Sequence, residues 1–160
     1  MHGPIFSATF SNIAVTAVQD MFEFLTSAAC RIAICEIDIG QNTEVGDAQD
    51  ESLALELIRG FTVAGSAGSA VTPTNYDARS RAAVTVVNRN NTGLATTSGS
   101  VVRATSFNVR SGWLYRPRWD GAVDERPVIS PSSSFVVRLP VAPADSVSMY
   151  ATILFQELGL

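Results

Sequence analysis

The side chains of this sequence that can do chemistry are few and unevenly placed. Five carboxylates, Glu44, Asp47, Asp50, Glu51 and Glu56, crowd "GQNTEVGDAQDESLALELIRG", residues 40–60. A calcium EF-hand loop needs acid or amide ligands at alternating positions, a glycine at the sixth and a glutamate at the twelfth. Asp47, Asp50 and Glu51 do not alternate and Gly46 precedes them, so that match fails. An improvised calcium site built from Glu44, Asp47 and Asp50 is the residual metal reading. The only histidine is His2, at the chain's first residues, and a Ser-His-Asp or Cys-His catalytic set would have to recruit it from there.

All eleven basic residues are arginines. The absence of lysine removes the phosphate-cradling P-loop, Schiff-base chemistry, and the kinase and Ser-x-x-Lys patterns. Cys30 and Cys35 lie in "CRIAICEIDIG", which reads as a strand. Their odd spacing puts them on opposite faces, about 16 Å apart along the chain. A disulfide needs Cα atoms within about 7 Å, so the pair reads as two buried small hydrophobes. Two thiols without a usable histidine also make a poor zinc site.

Two acids can run a glycosidase, and Asp120, Asp124 and Glu125 stand beside Trp119, whose ring can stack on a sugar. Nothing in the sequence sets the separation of these acids, and scattered surface carboxylates are the simpler explanation. The richer candidate is "FNVRSGWLYRPRWDGAVDERP", residues 107–127, which gathers Phe107, Arg110, Trp113, Tyr115, Arg116, Arg118, Trp119 and Arg126. Trp, Tyr and Arg are enriched at binding hot spots because they bury large area and still donate hydrogen bonds. An arginine over an indole adds about 0.5–2 kcal/mol. Phe107, Arg110, Trp113, Tyr115, Arg116, Arg118 and Trp119 are therefore the expected interface residues. The competing reading places Trp113 and Tyr115 in the core and leaves the arginines in solvent.

The elements that must position these residues read as strands. At 160 residues the chain has the length of one domain, which buries roughly 70 % of its unfolded surface without metals or disulfides. A hydrophobic content of 46 % with 16 % charged residues describes a globular chain, and a net charge of −4 opposes general attraction to nucleic acid or anionic lipid. Period-two alternation dominates segments rich in Val, Ile, Thr and Phe. In "CRIAICEIDIG" it sets Cys35, Ile37 and Ile39 against Glu36 and Asp38, and in "SVVRATSFNVRSG" it lines up Val101, Arg103, Thr105, Phe107 and Val109. "PIFSATF", "VQDMFEFLTS", "AAVTVVNRN", "SFVVRLPV" and "SVSMYATILFQEL" are further strands. Leu53, Leu55 and Leu57 fall at every second residue and share a face only on a strand, so residues 53–59 read as strand rather than helix and the acids before them as a solvated link. "NNT" at Asn90–Thr92 reads as a hairpin turn rather than a glycan acceptor.

About eight or nine strands at short spacing predict an antiparallel β-sandwich, jelly-roll-like, as one domain over 1–160. Residues 1–16 are expected as an N-terminal arm. Residues 63–81, with Gly65, Ser66, Gly68, Ser69 and Pro73, are expected as a long loop, flexible or extended, able to reach a neighbouring subunit. No apolar run approaches the roughly 18 residues of a membrane helix, and the start lacks a basic region followed by an apolar core, so folding in a cytoplasm is expected.

Taken together, "EIDIGQNTEVGDAQDESLALELIRGFTVAGSAGSAVTP", "FNVRSGW", "RPVIS" and "FVVRLPVAPADSVSMYATILFQELG" resemble small structural proteins of tailed bacteriophages, of the capsid decoration or cement kind. The resemblance spans residue 18 to the end and rests on strand and turn patterns, with no motif that marks a functional residue. It implies a β-sandwich on the outer surface of an icosahedral head, commonly a homotrimer, that clamps adjacent major capsid subunits against internal pressure. It implies no enzyme activity, cofactor or metal, no direct nucleic-acid contact and no membrane. A tail-fibre or receptor- and glycan-binding module of the virion is the alternative.

Overall fold

The computed structural model describes residues 3–44, 50–96 and 98–159. Twelve strands cover most of them: β1 Ile5–Val15, β2 Gln19–Leu25, β3 Cys30–Gln41, β4 Ser52–Arg59, β5 Ser69–Val71, β6 Thr74–Asn75, β7 Val86–Asn91, β8 Ser100–Asn108, β9 Trp113–Tyr115, β10 Val128–Ile129, β11 Ser134–Leu139 and β12 Val147–Gly159. All pairings are antiparallel. One sheet runs β10-β3-β12-β1-β6, with β9 joining β10 on the same flank of β3; the other runs β5-β7-β2-β11-β4-β8. Strands β1, β12, β3 and β9/β10 face β2, β11, β4 and β8, and the chain crosses between the sheets at every connection between consecutive strands except β4–β5, β7–β8 and β9–β10. That is the jelly-roll order, extended by β6 at one margin and by β7 and β5 at another.

The core lies between the sheets and follows the alternation. Phe6, Ala8 and Phe10 of β1, Phe22 and Phe24 of β2, Ile32, Ile37 and Ile39 of β3, and Leu53, Leu55 and Leu57 of β4 all point into it. Aromatic rings bridge the layers: Phe24 meets Phe155 edge-on at 5.1 Å between centroids, and Phe10 meets Phe22 at 5.3 Å. The leucines thus share a face, as the strand reading requires.

Bulges shift this alternation in ways that local periodicity does not announce. In β3, Glu36 pairs with Leu154 and Ile34 with Phe155, which leaves Cys35 as the extra residue. Cys30 lies in the core, but Cys35 turns to the opposite face, away from Ile37 and Ile39 with which it was grouped. Both thiols are free and buried. In β8, Leu57 pairs with Arg103 and Ile58 with Val101, so Val102 is the extra residue and Val101 leaves the face that carries Arg103, Thr105 and Phe107.

One expectation is corrected. Among the described residues of 1–16, Ile5–Val15 forms β1 rather than an arm, held between β12 and β6, because Phe6, Ala8, Phe10 and Val15 supply an inward apolar row. Residues 63–81 take the extended alternative: Ser69–Val71 forms β5 against β7, Thr74–Asn75 forms β6 against β1, and Ser66 bridges Gly93. A Cβ on Gly65 would come within 2.7 Å of the Gly93 carbonyl oxygen, and one on Gly68 would collide with Asn91 and the Arg89 carbonyl. These glycines serve close approach rather than flexibility.

Buried charges fasten this covering layer. Asp20 and Arg138 pair at 2.6 Å on the outer side of the second sheet, where the Ala95 N–H donates to Asp20 and Arg138 donates to the Ala95 carbonyl. The Gly65 N–H donates to Glu23 at 2.6 Å. At the end of β12, the fully buried Glu157 accepts from Val84 and Thr85 and pairs with Arg81 at 2.7 Å.

Candidate functional site

The two sheets part at the margin where β8 ends one and β9 and β10 end the other. Leucines of β4 fix the inward face of β8: Phe107 sits opposite Leu53, Thr105 opposite Leu55 and Arg103 opposite Leu57. Ile39 and Ile37 of β3 likewise set Trp113 and Tyr115 of β9 facing inward. Near the middle of the sandwich this face is covered, so Phe107 is buried. Towards the margin it opens into a cleft of about 690 Å³ lined by Arg103, Trp113, Tyr115, Arg116, Glu125 and Arg126 together with Val102, Leu114, Pro117 and Pro127.

Ring and cation geometry define its walls. Trp113 and Tyr115 stack with centroids 5.7 Å apart and planes within 3° of parallel. The Arg103 guanidinium lies 4.9 Å from the Tyr115 ring centre, a cation–π contact made across the gap between the sheets. Burial pushes the Tyr115 hydroxyl above its ordinary pKa, Arg103 opposes that shift and the Glu125 charge adds to it. The phenol therefore stays protonated at neutral pH and presents a donor.

The far wall is a clamp. Arg126 donates through Nε and Nη2 to both carboxylate oxygens of Asp124, at 2.8 and 2.7 Å, and through Nη1 to Gln156 Oε1 at 2.9 Å. Its Nη1 also reaches Cys35 Sγ at 3.9 Å, and its guanidinium lies 4.2 Å from the Trp119 ring centre. One arginine thereby binds residues 119–126 to β3 and β12. The hydrogen bond from Arg126 holds the Asp124 carboxyl below its usual range, and burial pushes the Cys35 thiol up. Asp124 is thus kept ionised, which is opposite to what a general acid needs.

The seven expected interface residues separate accordingly. Trp113, Tyr115 and Arg116 line the cleft, with Arg116 also paired to Glu36 at 2.8 Å. Trp119 caps Arg126 beside it, and Arg118 stands 3.6 Å from Asp120 in solvent. Arg110 pairs with Asp50 at 2.8 Å, away from the cleft lining. Phe107 is a correction: its register with Leu53 places it in the core, so it offers no surface. Trp113 and Tyr115 combine the two competing roles, since they are half-buried against the core and still form a wall of the cleft. Arg103 was not expected in the site, and its only sequence signal is a charge on the inward row of a strand.

The acid-rich stretch resolves as a link into β4 where it is described. Asp50 binds Arg110, and Glu51 accepts from the Ala144 N–H at 2.6 Å. Asp47 lies outside the described residues, among which no three His, Cys, Asp or Glu side chains converge as metal ligands do.

Comparison with family models, with curated proteins and with solved structures finds no match.

Proposed function

We propose that this chain is a capsid decoration protein of a tailed phage. It binds the outer surface of the head as a homo-oligomer, expected as a trimer, and stabilises contacts between major capsid subunits by buried interface area rather than by chemistry. The observation that carries the reading is the sandwich margin itself. There Trp113, Tyr115, Arg103 and Arg116 form a concave surface of hot-spot residues, and Val102 and Leu114, which also line it, stay exposed. Assembly interfaces bury about 1,200 Å² or more, and such a margin supplies the desolvating centre one needs. The resemblance noted in the sequence selects a capsid shell as the partner.

The test is binding of purified protein to heads assembled without it, followed by localisation of its density on the particle. Saturable binding at fixed outer sites, reduced by Trp113→Ala, is the expected result. A protein that stays monomeric and ignores such heads refutes the proposal.

A second reading is favoured by the same cleft. A concavity of about 690 Å³ with an aromatic wall and arginine donors also suits a sugar, as in a receptor-binding module of a tail fibre. Glycan-array binding lost in Trp113→Ala, without affinity for heads, selects it.

A further inference from the structure

Strand β8 ends its sheet, and the phase of its ladder shows which backbone groups it leaves open. The Val109 N–H donates to the Glu51 carbonyl at 2.9 Å, one residue beyond the strand's end. In an antiparallel ladder hydrogen-bonded and non-bonded pairs alternate. With Leu53 opposite Phe107, Leu55 opposite Thr105 and Leu57 opposite Arg103, those three β8 residues turn their backbone groups towards β4. Ala104 and Ser106 turn theirs to the open side, and both residues are exposed.

Natural edge strands are commonly blunted by shortness, proline, bulges and charged side chains, inward-pointing ones included. β8 is nine residues long and has no proline; it carries a bulge at Val102 and one inward-pointing charge, Arg103, so that its regular part, 103–108, is guarded against any strand that brings no acid to that arginine. Val101 and Val102 are 52 % and 41 % exposed. A strand laid along this edge would cover the mouth of the cleft and turn alternate side chains towards Trp113, Tyr115 and Arg103.

Charge selects what that strand carries. Arg116 has Glu36 and Arg126 has Asp124, whereas Arg103 lies over the Tyr115 ring and makes no ion pair with a carboxylate among the described residues. Glu125 also lines the cleft but makes no ion pair with Arg103.

We infer that the β8 margin is a strand-addition site: it takes an extended partner segment whose backbone pairs with Ala104 and Ser106 and whose acidic side chain meets Arg103. On the proposed function, and resting on it, the partner is an acidic extended segment of the capsid shell; the site's chemistry itself is read from the margin alone.

The probe is a short Thr/Val peptide with glutamate at alternate positions, alongside its glutamine counterpart, titrated into the full chain. Exchange of the Ala104 and Ser106 amides and tryptophan fluorescence are followed. The expected result is saturable binding of the glutamate peptide, protection of both amides, and a preference of about fivefold over the glutamine peptide that disappears in Arg103→Gln. Ala104→Pro and Ser106→Pro each remove one outward N–H and are expected to abolish binding; amide protection in the unmodified chain decides the matter should either variant fold poorly. Unprotected amides at saturating peptide overturn the inference, as does equal affinity for the two peptides. So does concentration-dependent protection without peptide, which would mean that a second copy occupies the edge. Heads that bind the unmodified chain and Ala104→Pro equally refute strand addition and leave the decoration reading intact. Heads that bind neither refute the decoration reading while the peptide titration still decides this one.

Discussion

Truncating Arg126 tests the clamp beside the cleft. Arg126→Ala removes a cation–π contact to Trp119, worth about 0.5–2 kcal/mol. It removes a charge-assisted hydrogen bond to Gln156, worth about 1.5–3 kcal/mol. It also removes the pair with Asp124, whose side chain is 48 % exposed and which solvent reduces to about 0.2–1 kcal/mol. These contributions share one side chain and do not add, so a loss of about 2–4 kcal/mol follows, confined first to residues 119–126. Cys35 reports it, because its thiol lies under Arg126 and burial holds it protonated and inert. A fall of about 2 kcal/mol in the local opening free energy speeds alkylation of Cys35 about thirtyfold, while Cys30, inside the core, is expected to react only on global unfolding. Iodoacetamide labelling followed by mass spectrometry measures both rates, and tryptophan emission is expected to shift red. Arg126→Lys keeps the charge without the planar fork and is expected to fall between. Unchanged Cys35 labelling in Arg126→Ala, with unchanged emission, would refute the clamp.

Other outcomes follow from the same geometry. Asp20→Ala leaves Arg138 buried without its counter-charge and is expected to cost about 3–5 kcal/mol in urea unfolding, whereas Asp20→Leu combined with Arg138→Met removes the unpaired charge but strands the Ala95 N–H and carbonyl, and is expected to recover only part of that loss. Gly68→Ala forces β5 away from Asn91 and Arg89 and is expected to cost about 1–3 kcal/mol by the same measurement. Asp124 has a folded-state pKa below its unfolded value, so its contribution is present above the ordinary carboxylate range and is lost as pH falls through the folded value. A thermal melt series across acidic pH is therefore expected to show a decline that is shallower in Asp124→Asn, the remainder including Asp77, which Arg79 likewise holds below its ordinary range.

Much of the fold is readable in the chain without coordinates. Leu53, Leu55 and Leu57 recur at every second residue, and the structure places all three in the core on β4. "CRIAICEIDIG" and "SFVVRLPV" likewise become β3 and β11. The candidate site was only half legible. Trp113, Tyr115 and Arg116 declare themselves by residue type and proximity, but Phe107 has the same appearance and lies in the core. Its fate depends on the strand opposite, which no local pattern names. Gly65 and Gly68 read as flexible or extended for a related reason: a glycine looks the same whether it frees the backbone or lets it pass close to another.

Side-chain alternation acts between neighbours along the chain, so composition and periodicity alone determined an all-β sandwich and the inward rows of its main strands. Register, bulges and the meeting of distant charges depend on which strands close against each other, and that is a property of packing. Arg138 finds Asp20 across 118 positions, Arg126 finds Cys35 across 91, and Arg103 reaches Tyr115 only because two sheets part at one margin. The folded arrangement alone made those contacts, and with them the cleft, because each is held by loop closure and burial shared over the whole sandwich rather than by any preference of the residues involved.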